Sequence, residues 1–124
     1  MKKVMSVGQC PPDHAAIKYF IEDNFDAKII KIDSTEEALE ELTKQKIDLV
    51  LVNRKLDIDY TDGSILIQKM NQAGLLADTP IMLISNFPEY QQEAITLGAK
   101  MGFGKNDLGS SQTRDYLAGF LALK

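Results

Sequence analysis

The sequence holds a single cysteine, Cys10, in 124 residues. An internal disulfide is thereby excluded, and a lone thiol suits a reducing cytoplasm, the compartment expected for this chain. Nor is there a surplus of positive charge. Fourteen Lys and Arg stand against 18 Asp and Glu, for a net charge of −4 and a pI near 4.9. Nucleic-acid binders normally show a basic stripe, so no nucleic-acid partner is expected. No apolar run approaches the roughly 20 residues that span a bilayer, so no membrane association is expected either. Met1-Lys2-Lys3 imitates the start of a signal peptide, but Gln9, Pro11, Pro12 and Asp13 cut the apolar stretch from Val4 to Gly8 too short. Gly8 stands alone behind that stretch, with no glycine-rich continuation to form a phosphate loop or a dinucleotide fingerprint. Repeats, low-complexity tracts and interdomain linkers are also missing. At 13.8 kDa, residues 1–124 read as one domain with a core of its own.

What is present is an alternation of apolar runs and helical periods. Val4-Met5-Ser6-Val7 opens as a strand. Pro11 and Pro12 then start a helix through Asn24, with Ala16, Ile17, Phe20 and Ile21 at helical spacing. Ala27 to Ile32 is a second strand. Ser34 to Glu37 reads as a capping box ahead of a helix with Ala38, Leu39 and Leu42 inward and Glu40–Lys44 as an i,i+4 pair. The stretch Ile47 to Asn53 reads as a strand buried on both faces that ends at a polar amide. A polar loop from Arg54 to Asp62 follows. The next helix, Ser64 to Ala73, has its periodicity through Ile65, Leu66, Lys69 and Met70. Ile81 to Ser85, Pro88 to Leu97, Met101 to Gly104 and Ser110 to Leu123 complete five strand–helix units. In the last helix Tyr116, Leu117, Phe120 and Leu121 mark the packing side, and Met70, Met82 and Met101 read as core filler. Such an alternation predicts a three-layer αβα, flavodoxin-like, doubly wound five-stranded parallel sheet, (βα)5.

In a parallel sheet of this kind, function gathers at the carboxyl ends of the strands. That rim presents Gly8-Gln9-Cys10, Asn53, Ser85-Asn86 and Lys105-Asn106. With Asp48 to Asn53, Asp62-Gly63, Thr79-Pro80 before Ile81 to Ser85, Gly98-Ala99 and Lys105, the whole chain resembles a receiver domain of the bacterial two-component response regulators, the stand-alone chemotaxis regulator among them. The resemblance implies a phosphoacceptor aspartate at the position of Asn53. It also implies two magnesium-holding acids at Gly8 and Gln9, a switch hydroxyl at Ser85 and a phosphate-contacting lysine at Lys105.

Two of those roles match, and the acidic ones do not. An amide is not a nucleophile for phosphoryl transfer. Magnesium prefers hard, preferably anionic, oxygen ligands, and none of Gly8, Gln9 or Asn53 offers a carboxylate. Aspartyl phosphorylation at Asn53 is therefore excluded, and no Mg²⁺ or other cofactor is expected. Lys105 is expected to bond Asn53 and backbone carbonyls. Receivers also move an aromatic residue of the fifth strand inward on activation. Here that position is Gly102, with Phe103 beside it on the opposite face of the strand.

The expected product is an atypical, non-enzymatic pseudo-receiver of the phosphorelay type that works by binding protein, either a histidine kinase or a downstream output protein. The resemblance points to the face made by Pro88 to Leu97, Met101 to Lys105 and Ser110 to Leu123, with Tyr90, Tyr116 and Phe120 as contacts and a weak homodimer as a further option. Two alternatives stay open: a phosphorylatable receiver using Asp57 or Asp59 in the loop behind Asn53, and a small cysteine enzyme or phosphocarrier using Cys10 beside His14. The Cys10 segment lacks the arginine or glycine-rich continuation of a phosphatase loop.

Overall fold

A computed structural model describes all 124 residues. Five strands, β1 (Lys2–Val7), β2 (Ala27–Ile32), β3 (Leu49–Asn53), β4 (Ile81–Ile84) and β5 (Lys100–Phe103), alternate with helices α1 (Pro11–Asn24), α2 (Thr35–Lys44), α3 (Ser64–Gln72), α4 (Pro88–Thr96) and α5 (Ser111–Leu117). All strand pairs are parallel, and the sheet order is β2-β1-β3-β4-β5. This is the doubly wound, flavodoxin-like architecture that the alternation predicted.

Strand alternation divides the core into two layers. Val4, Leu49, Leu51, Met82, Ile84 and Phe103 pack with α1 and α5 through Ile17, Phe20, Ile21 and Leu117. Met5, Val7, Val50, Val52, Ile81 and Leu83 face α2, α3 and α4 through Ala38, Leu66, Ile67, Met70 and Ala94. Neighbouring residues of one strand thus serve opposite layers, as a sheet covered on both faces requires.

Local signals set several boundaries. The Ser34 Oγ accepts from Glu37 N–H at 3.1 Å and caps α2. The Glu37 carboxylate takes the Ser34 hydroxyl at 3.3 Å, so only one arm of the expected capping box reaches the backbone. Glu40 and Lys44 pair at 3.0 Å.

Three expectations change. The last helix stops at Leu117, six residues before Leu123, where Gly119 N–H and Phe120 N–H turn back to Tyr116 O and Leu117 O and the chain leaves the helix. The remaining tail runs back to the α1–β2 junction, where Asp26 N–H meets Ala122 O at 2.8 Å and Phe25 bridges Leu123. Ile65 points outward while Ile67 is buried, since α3 turns Leu66, Ile67 and Met70 to the sheet. Met101 is 49% exposed and is not core filler. It sits where β5 carries an extra residue against β4 between the Met82–Lys100 and Ile84–Phe103 pairings.

Candidate functional site

The rim of β3, β4 and β5 holds a cleft of about 340 Å³. Asn53, Ser85 and Lys105 line it together, as their places at three strand ends demand. Arg54, Lys55, Asn86, Phe87 and Tyr90 complete the wall. Gly8 and Gln9 do not reach it; both are buried behind it.

The reason lies in the loop after β3. Expected to be polar, this loop carries Leu56, which is wholly buried in the layer beneath α2 and α3. The segment folds as a tight turn: Leu56 N–H meets Thr61 O at 2.9 Å, Tyr60 N–H meets Leu56 O at 2.8 Å, and Lys55 bridges Asp62. Asp57 N–H then fastens it to Gly8 O at 2.9 Å. A Cβ on Gly8 would lie 2.3 Å from Leu56 Cδ2, well inside contact distance, and Gly8 has a φ of +78° that L side chains rarely adopt. Apolarity alone does not single Leu56 out, since Ile58 in the same loop is 61% exposed.

Each remaining position has a definite partner set. The Asn53 amide donates to Lys55 O at 2.8 Å and to Gly8 O at 3.5 Å. Both bonds need an N–H donor, which a carboxylate lacks. Gln9 is fully buried, with neither end of its carboxamide hydrogen-bonded. Ser85 Oγ accepts from Phe87 N–H at 3.2 Å, which leaves the hydroxyl proton free to donate.

Lys105 departs from expectation. It forms an ion pair of 2.6 Å with Asp13 on the first turn of α1, not a bond with Asn53, because that carboxylate is the stronger acceptor within its reach. Hydrogen bonds from Lys105 and then Cys10 hold the Asp13 carboxyl below its usual pKa. The polar neighbour of the Cys10 thiol is therefore an anion, opposite to the electropositive setting that activates a cysteine nucleophile. His14 is half-buried, and burial, followed by the charges of Lys31 and Lys18, lowers its pKa.

The acids of the loop stay apart. Asp57 is exposed, and Asp59 is occupied by Thr61, whose hydroxyl and N–H donate to it at 2.7 and 3.0 Å. Those bonds lower its pKa. No group of three or more His, Cys, Asp or Glu is close enough to hold a metal ion. The magnesium site of a receiver does not fit the residues present.

The position expected to carry the moving aromatic residue is also tightly packed. A Cβ on Gly102 would lie 2.0 Å from Leu83 O and 3.0 Å from Gln91 Oε1. Gln91, buried on α4, donates to Leu83 O at 2.9 Å and Ser85 O at 3.1 Å, and accepts from Gly102 N–H at 2.9 Å. Its carboxamide occupies the space above Gly102. Phe103 points to the opposite layer, as alternation predicted. Outside the strand, the Tyr116 hydroxyl donates to Met101 O at 2.6 Å.

No protein-family profile matches this chain, and a search of curated proteins finds no match. Solved structures do match. The chemotaxis response regulator CheY4 of Vibrio cholerae aligns at 19% identity and a TM-score of 0.72, over 92% of this chain and 98% of that one. The signal receiver domain of a DNA-binding response regulator from Colwellia psychrerythraea 34H aligns at 17% and 0.77, over 96% and 97%. The receiver domain of the response regulator NarL from Mycobacterium tuberculosis gives 17% and 0.77, over 95% and 94%. The class these define is the receiver-domain fold of response regulators. This chain has that fold over 92–96% of its length. No helix in it is long and apolar enough to cross a membrane.

Proposed function

We propose that this chain is a receiver-like protein of two-component signalling that acts by binding another protein, without conventional aspartyl phosphorylation. One observation carries the reading: Leu56 fills the corner where a receiver keeps its magnesium-holding acids, so that Gly8 has no room for a side chain. The loss of acids is thus built into the packing. It is matched at Asn53, whose amide is committed to two carbonyls and offers no nucleophilic oxygen. It is matched again at Lys105, whose charge Asp13 balances.

The binding face is the one formed by α4, β5 and α5, with a histidine kinase or a downstream output protein as the partner. Met101 and Tyr116 are exposed there, and Phe120 stacks edge-on against Tyr116 at 5.5 Å. Asp57 and Asp59 have less support as displaced acceptors, since neither lines the cleft and Asp59 is bonded to Thr61. The decisive test is incubation with a small phosphodonor and Mg²⁺ followed by intact mass measurement. An unchanged mass is expected; a stable added phosphate would overturn the proposal, and alanine replacement of Asp57 and Asp59 would then locate it.

A further inference from the structure

The cleft has a charge character opposite to that of the chain. The protein carries −4 overall, yet the cleft is lined by Arg54, Lys55 and Lys105 and by no carboxylate. Asp13 neutralises Lys105 from outside. Neither Arg54 nor Lys55 takes part in any of the eight ion pairs of the structure. Asp62 and Glu93 line a small notch on the far side of Arg54, beyond ion-pair distance of its guanidinium. Instead Arg54 lies over the Tyr90 ring at 3.7 Å, a stacking that holds the guanidinium plane while leaving its edge free to donate.

Neutral donors converge on the same space. The Ser85 proton is free because Phe87 N–H occupies the oxygen. Asn86 Oδ1 accepts from Asn106 N–H at 3.1 Å, which leaves its amide nitrogen available. Phe87, 56% exposed, stands at the mouth of the cleft edge-on to Tyr90 at 5.9 Å.

From these contacts we infer that the cleft is a non-covalent, metal-free binding site for a small phosphomonoester dianion. Its phosphate oxygens meet Arg54, Lys55, Ser85 and Asn86, and its organic body lies against Phe87. A carboxylate has two oxygens and one charge, too few for two unpaired cations and two neutral donors. A phosphate monoester has three acceptor oxygens and close to two charges. The volume lies at the small end of ordinary ligand pockets. This goes beyond the reading proposed above and needs no protein partner.

The test is a titration of the full chain followed through its backbone amides by NMR, at constant ionic strength. Phenylphosphonate, whose P–C bond cannot transfer a phosphoryl group, is the probe; benzoate is the singly charged control. Expected are saturable shifts at Lys55, Ser85, Asn86 and Phe87 with phenylphosphonate and none with benzoate. Lys55→Ala and Arg54→Ala should each weaken binding about tenfold, the scale of one lost charge-assisted hydrogen bond, while Lys46→Ala on the far surface changes nothing. Phe87→Ala should weaken phenylphosphonate but leave inorganic phosphate unaffected. Absence of saturation at millimolar probe, equal response to benzoate, or insensitivity to both cation replacements would overturn the inference. Because the probe cannot phosphorylate the protein, these outcomes are separate from the phosphodonor result.

Discussion

Leu56 and residue 8 compete for one volume. With Leu56 Cδ2 2.3 Å from the place of a Cβ on Gly8, a leucine side chain and an acid at position 8 exclude each other. The corner is a packing choice in which apolar burial of Leu56 takes the space a side chain at position 8 would use.

Removing the plug should therefore be costly. Leu56 is fully buried, and Leu56→Ala is expected to lower stability by about 2–5 kcal/mol, the range for such truncations. Urea unfolding followed by circular dichroism measures it.

Returning the nucleophile alone should not restore chemistry. Asn53→Asp supplies a carboxylate but loses the donor bonds to Lys55 O and Gly8 O, and no second acid joins it to hold a cation. No mass gain is expected with phosphodonor and Mg²⁺. A lowered melting temperature is expected in its place.

Asp13 gives a pH signature. Its folded-state pKa lies below the ordinary value of 3.8 because Lys105, then Cys10, hydrogen-bond the carboxylate. The stabilisation is thus complete above that value and is lost as pH falls through the folded pKa. Both partners are about one-third exposed, so the pair contributes only about 0.2–1 kcal/mol. Asp13→Asn should be slightly less stable than the parent at neutral pH, and the gap should close in strong acid. Melting temperatures across the acid range provide the check.

Gln91 is a buried polar position on α4. Gln91→Met keeps the length of the side chain but leaves Leu83 O, Ser85 O and Gly102 N–H without their partner. The expected cost is about 2–4 kcal/mol, since a buried group left unpaired costs about 1–3. Amide exchange at Gly102 should accelerate beyond that of the β1 and β3 amides.

How far the sequence disclosed all this follows from the range of the forces involved. The strand ending at Asn53 was legible because Val50, Leu51 and Val52 must be buried on both faces. The cap at Ser34 and the Glu40–Lys44 pair were legible because they act within a turn or two. Gathering Asn53, Ser85 and Lys105 into one cleft needed only the parallel topology. Leu56 was hidden because the loop also holds Ile58 and Tyr60, both exposed, and nothing in its pattern tells the buried one from them. The Lys105–Asp13 pair spans 92 positions and depends on how α1 docks. The early end of α5 depends on a tail that bonds to Asp26. Such contacts exist only once the fold has formed.

The Gln91 carboxamide binds the end of β4 and the middle of β5 with its two ends at once. A shift of α4 against the two strands therefore has to break these hydrogen bonds, so helix and strands move together or not at all.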